Sequence, residues 1–496
     1  LKSLAIFLIL GGTVLILQRS HLSFFEAHPK PLAEYHELKS DVPFRGLDEV
    51  DLNFWTHAFF QKNAVTEIES VKDLSHRIES AWFTLPEGLT ESTAIEKFAA
   101  RLTPLAQNYS QPLAYDHLLT AFREAHEKIR LVKPIPLAAH ALYLLDVLSD
   151  EVFYAKQMHF GGTAPFVWGH PRDLKKGDVL ISKNTEFSSL LLQFRSPDAG
   201  AYSHAQLILN EGKNSNPEIL ESGTFGLNRV PFILGDYARL AVFRSVKSVH
   251  TQDLIAQALD SFLTASTLGG KADLKKAHPF DFTFTPDCTK PAYFCTDMIY
   301  CVYRQSGISP DQNPYPREIW QSSTETENEF IKSVVKLNWG AAPVPGDVEL
   351  NPNFHATAYE VSAEKIKIIR NHLALTEAFF SLIQSEPELM NLYSETLGKL
   401  AKGKTVGELK ESEVRDFAKA GLIDAEQLLP ILKVLPPEMN LRTLAFYYHF
   451  ERVLMPNAFK SLSNQTSSQI PLGLPETAFI LRQSLQAQLV AFSNQF

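Results

Sequence analysis

The sequence predicts an α+β core set between two large helical regions. Three observations predict it. Between about residues 170 and 360, short apolar runs alternate with turns containing glycine and asparagine, as strands do. On either side, longer segments repeat their apolar residues at a spacing near 3.6. Finally, 45% of the 496 residues are hydrophobic and 21% charged, enough apolar material for real cores and too much for a wholly disordered chain. The length corresponds to about three domains at about 150 residues each.

The elements follow in order. Residues 1–20 hold an apolar run from 4 to 17, interrupted by Gly11, Gly12 and Thr13 and ended by Gln18, Arg19 and Ser20. The run is short of the roughly 20 residues a spanning helix needs, and no small-x-small cleavage site follows it directly. An uncleaved membrane anchor is expected, with a cleaved signal or a buried helix as the alternatives. Lys2 and Arg19 flank the run, so basic residues give no orientation. Residues 21–50, with Pro29, Pro31 and Pro43, read as a linker. Residues 51–170 read as a helical region with helices at 67–85, 92–105, 115–132 and 135–148. Leu118, Leu119, Phe122, Ala125 and Ile129 give the third its apolar face, Asp116 is placed to cap it, and Pro134 and Pro136 separate it from the fourth. Residues 171–360 form the mixed segment. It holds a Lys176-Gly177-Asp178 turn, strands near 179–181, 202–209, 218–221 and 240–243, and helices at 253–263 and 294–303. Residues 361–496 return to helices at 363–381, 386–400, 410–420, 424–435, 441–454 and 476–492. Pro436-Pro437 breaks this region and a polar loop is expected at 461–468.

Net charge is −9. A general nucleic-acid binder carries a basic excess, so no nucleic-acid partner is expected. The three cysteines, Cys288, Cys295 and Cys301, cannot build a disulfide framework, and at least one is unpaired within the chain. Cys295 opens a predicted helix. There the unpaired backbone N–H groups and the helix dipole favour a thiolate, the reactive form of cysteine. Cys301, six residues later, reads as a packed small apolar residue. His204 starts a strand, where a sheet can hold its ring rigidly toward a thiol; it reads equally as a satisfied strand-edge histidine. Glu221 ends the next strand, as a carboxylate able to fix the imidazole tautomer or as a plain strand-end charge. Metal chemistry is not indicated: there is no C-x-x-C, no H-E-x-x-H and no close histidine pair beside the cysteines, His278 being the nearest candidate. A phosphate-binding glycine loop and a G-x-S-x-G elbow are also missing from the sequence, so no cofactor is expected.

The order of these features resembles the circularly permuted papain-like hydrolases of the NlpC/P60 superfamily. The YiiX/YebB-like bacterial members, relatives of lecithin retinol acyltransferase, are the most similar. Lys176-Gly177-Asp178-Val179-Leu180 resembles their opening strand, and Tyr202-Ser203-His204-Ala205-Gln206 their histidine strand. Phe280-Asp281-Phe282-Thr283-Phe284 is similar to a Tyr-Asp-x-x-Phe segment, and Phe294-Cys295-Thr296-Asp297-Met298 to the start of their nucleophile helix. The resemblance covers about 174–350. It implies a permuted papain-like core with Cys295 as nucleophile, His204 as base and Glu221 as orienting residue. The implied reaction is cleavage of an amide or ester, in a cell-wall peptide or a lipid, through a thioester. The backbone N–H of Cys295 is the expected oxyanion donor, with Tyr293 and Gln206 as weaker candidates. Location is expected at the inner membrane of a bacterial envelope, bulk in the periplasm, or else secreted. The competing reading is a membrane-tethered interaction protein with an inactive core, its helical flanks binding a protein partner.

Overall fold

A computed structural model describes residues 110–130, 135–171, 173–183, 202–210, 217–223, 226–233, 237–245, 249–266, 278–281, 287–290, 292–307, 344–410, 412–415, 439–465 and 474–494, with isolated positions between them. The apolar run at 4–17, the linker, and the helices expected at 67–85 and 92–105 lie outside these residues. Most of the helices expected at 410–420 and 424–435 do too.

Helices α1 (Pro112–Ile129) and α2 (Ile135–Phe160) come first. The five apolar residues that predicted α1 are all buried. Asp116 does not cap it: the helix begins at Pro112, and the Asp116 carboxylate accepts a hydrogen bond from Lys156 of α2 at 2.6 Å. Among the described residues no helix is long and apolar enough to cross a membrane. This corrects the expected membrane anchoring and inner-membrane location as far as the described residues reach: none of their helices supplies a span. The longest helix, α2, shows why length alone does not suffice, since it carries Asp146, Asp150, Glu151 and Lys156.

The strands are β1 (Phe166–Gly169), β2 (Val179–Ser182), β3 (His204–Ile208), β4 (Glu218–Gly223), β5 (Gly226–Pro231), β6 (Arg239–Ser245) and β7 (Phe354–Val361). They form one sheet in the order β1-β7-β6-β2-β3-β4-β5, every pair antiparallel. β2 is buried along its length because both of its faces are covered. Val179 and Ile181 join the main core, and Leu180 a smaller cluster with Ile208, Ile219, Leu240 and Val242. That double burial explains its unbroken apolar run. The turn before it needs glycine. Gly177 has φ +85°, and an added Cβ would lie 2.6 Å from the Ile255 side chain. Asp178, fully buried, receives a fork from Arg244 at 2.9 and 2.7 Å.

Helix α3 (Val249–Ser266) and α4 (Cys295–Gln305) follow β6, α5 (Pro345–Leu350) precedes β7, and α6 (Ile366–Ser385) and α7 (Pro387–Ala401) come after it. Helix α8 (Leu441–His449) passes through a π-helical turn, Phe450–Leu454, into α9 (Met455–Gln465), so residues 461–465 of the polar loop expected at 461–468 are helical; α10 is Leu474–Ser493. The expected boundaries at 170/171 and 360/361 fall beside β1 and within β7, at one edge of the sheet. One continuous core runs from Tyr115 to Phe492. The buried Arg370–Glu151 pair joins α6 to α2 within it.

Candidate active site

His204 is the first residue of β3, and β3 pairs with β4 so that Gln206 lies opposite Glu221. Side chains alternate across a sheet, so His204 and Gln206 share a face. Nε2 of His204 lies 3.6 Å from Oε2 of Glu221. The same carboxylate oxygen accepts a hydrogen bond from the Gln206 amide at 2.9 Å. Gln206 therefore holds the carboxylate in position, a role different from the oxyanion donation expected of it. The tie was not legible in the sequence because it depends on strand register.

Cys295 is the first residue of α4. Phe294 precedes it in extended conformation and offers no side-chain cap to the helix start. The Cys295 thiol lies beside the His204 ring, close enough to act on its charge. The sheet and the helix thus bring Cys295, His204 and Glu221 together across more than 90 residues of sequence. All three groups are sheltered: Cys295 is 2% exposed, His204 1%, and the Glu221 side chain 14%. Burial opposes a charge on His204, but the neighbouring Cys295 sulfur and Glu221 carboxylate outweigh it and raise the imidazolium to about 10.

The segment before the nucleophile helix is tied down by its backbone. Tyr293 donates to Pro279 O at 3.1 Å and accepts from Asp281 N at 3.2 Å, forming a bridge with Phe280. Ser222 of β4 also donates to Tyr293 O. The Tyr293 ring packs with Phe262 and His278, which makes His278 a stacking residue in an aromatic cluster. Residues 282–284 of the expected Phe-Asp motif lie outside the described residues. Asp297, in the first turn of α4, is pushed up to about 7, chiefly by burial and then by Asp281 and Asp287. Below that pH it is neutral and does not oppose negative charge on the helix's first residue.

Cys301 corrects an expectation. It does not merely fill space: it forms a disulfide with Cys288, leaving Cys295 as the free cysteine. Asp297 lies close to both sulfurs, but sulfurs joined to each other are not thiolate ligands. The bridge closes a loop of 13 residues around the nucleophile. A loop of that size is worth about 3 kcal/mol in the chain-entropy account. Cys301→Ser is expected to lower the melting temperature by about 5–10 °C, and reductant to do the same to the wild type and nothing further to the variant. Thermal unfolding by circular dichroism reads this directly, and a shift under 1 °C would contradict it.

The described cavity of about 220 Å³, lined by Lys176, Leu209, Glu218, Arg229, Asp260, Leu263 and Thr264, lies past the far end of β3 from His204. No family model matches the chain, and no curated protein or solved structure matches it.

Proposed function

We propose that this protein is a cysteine-dependent hydrolase or acyltransferase acting on an amide or ester bond, built on a permuted papain-like core. The observation that carries this reading is the meeting of the Cys295 thiol with a His204 ring backed by Glu221. The Cys295 sulfur, as thiolate, attacks the carbonyl carbon and forms a C–S bond. The Cys295 backbone N–H at the helix start stabilises the oxyanion. The C–N or C–O bond then breaks, and the leaving group takes the proton from His204. Water, or another acceptor, attacks the resulting thioester and gives its proton to His204. The acyl product departs and the thiol is restored. Glu221 faces the ring throughout and Gln206 keeps that carboxylate in place. Peptide amides and acyl esters both fit this chemistry.

The test is turnover of a panel of short peptide amides, cell-wall stem peptides and acyl esters by wild type and Cys295→Ala. Loss of at least a thousandfold in the variant, with an unchanged melting profile, supports the proposal. Turnover retained in the variant would overturn it. A second reading is favoured by the burial of Cys295 and His204: an interaction protein whose core is catalytically inactive. It expects wild type and variant to be equally silent on every substrate, and the native thiol to resist alkylation.

A further inference from the structure

A second concentration of buried ionisable groups lies where α1, α2 and α5 meet β6. His126, Asp146 and Glu349 are each 1% exposed and come from three different helices. Nε2 of His126 lies 3.1 Å from Oε1 of Glu349 and 3.6 Å from Oδ1 of Asp146. One donor atom from each of the three falls within 4.8 Å of the others. The His126–Asp146 separation is that of two atoms sharing an ion. Two ligands about 2.0–2.2 Å from a tetrahedral zinc sit roughly 3.3–3.6 Å apart.

The orientation of the groups is as informative as their spacing. Despite the 3.1 Å approach, neither His126 nitrogen nor Glu349 Oε1 forms a hydrogen bond among the described residues. Buried polar atoms are nearly always satisfied, so a third party is required. Water is the usual one. Asp146, Asp150 and Glu349 share this interior with Arg123 and Arg239. The guanidiniums serve the aspartates: Arg239 bonds Asp150 and lies 3.3 Å from Asp146 Oδ2, and Arg123 lies 3.5 Å from Asp146 Oδ1. Glu349 has His126 beside it.

We propose that His126, Asp146 and Glu349 bind a divalent transition-metal ion, Zn²⁺ by ligand type, which ties α1, α2 and α5 together. One imidazole nitrogen and two carboxylate oxygens suit zinc, and water completes the coordination. The site is separate from Cys295 and independent of the proposed reaction. Its depth gives it a structural role, with metal affinity contributing to folding.

The experiment is metal analysis of the full-length protein by plasma mass spectrometry, after expression in zinc-supplemented medium and purification without chelators or a histidine tag. About one zinc per chain is expected. Glu349→Gln, isosteric and uncharged, is expected to carry less than a tenth of that, while Cys295→Ser and Cys301→Ser keep it. Because Glu349→Gln could unfold, the wild type is also melted with 1,10-phenanthroline and then with added ZnCl₂; a lowered melting temperature restored by zinc is expected. Wild type free of metal and indifferent to both reagents would overturn the proposal. So would full zinc in Glu349→Gln, or loss of zinc in either cysteine variant.

Discussion

Alkylation of Cys295 by iodoacetamide is expected to proceed at a nearly constant rate from pH 6 to pH 9. His204→Ala is expected to restore a steep rise over the same range. The reasoning is a matter of which species is present. An isolated thiol with pKa about 8.5 is ~0.3% ionised at pH 6 and ~75% at pH 9, so its rate climbs roughly 200-fold. In the proposed pair, the sulfur faces an imidazolium that lasts to about pH 10, so the positive charge beside it is constant across this range. His204→Ala removes that cation. Glu221→Gln is expected to fall between the two, because the ring keeps its thiol partner and loses the carboxylate. The measurement is the second-order rate constant at each pH, with the labelled cysteine identified by mass spectrometry. A wild-type rate that climbs like that of a free thiol would remove the ion pair. No labelling at any pH would favour the inactive-core reading.

The same group makes a stability statement. A folded-state value raised from the model-peptide 6.5 to about 10 means that the stabilisation is fully present below pH 6.5. It fades as pH rises through 10. His204→Ala therefore loses more stability at pH 6 than at pH 10.

The parts of this molecule that sequence patterning reached were those where one local signal decides the structure. Val179-Leu180-Ile181 reads as a strand because both its faces are buried. Cys295 reads as a helix start because α4 carries its apolar residues on one face, Met298, Ile299 and Val302 being buried there. β7 escaped notice although it lies between β1 and β6, since Ala356, Ala358 and Glu360 interrupt its aromatic and β-branched residues. β1 is four residues long, and β5 is an edge strand carrying Asn228 and Arg229, so neither announces itself. The site shows the same division. Cys295 and His204 each open a recognisable element, and Glu221 lies within β4. Gln206 gains its partner only from register. His126 and Glu349 are 223 residues apart in the chain; His126 alone reads as the polar face of a helix, and Glu349 falls in no element the pattern predicts.

The flanking helical regions, which the sequence presents as separate from the core, are expected to fold with it, and Arg370 is where that can be tested. Arg370 of α6 is 4% exposed and Glu151 of α2 is 4% exposed. The guanidinium forks onto the carboxylate, NH2 bonding Oε2 at 3.0 Å, and lies 3.8 Å from the centre of the Tyr154 ring. A paired charge in this setting roughly balances its desolvation against its partner. Removing one member does not restore that balance, because the other stays buried with nothing opposite it. Arg370→Met is therefore expected to cost about 3–5 kcal/mol. Glu151→Leu alone should cost a similar amount, for the mirror-image reason. The double variant should recover most of the loss, since an apolar pair of comparable volume needs no desolvation to offset. Urea unfolding of the four proteins gives the cycle, and the interaction energy is expected to exceed 2 kcal/mol. The form of the transition carries the architectural point. If α2 and α6 belong to one core, all four curves remain single transitions and shift together. A split curve in Arg370→Met, with the helical part melting ahead of the sheet, would mean that the flank and the core are separate folding units joined by this contact.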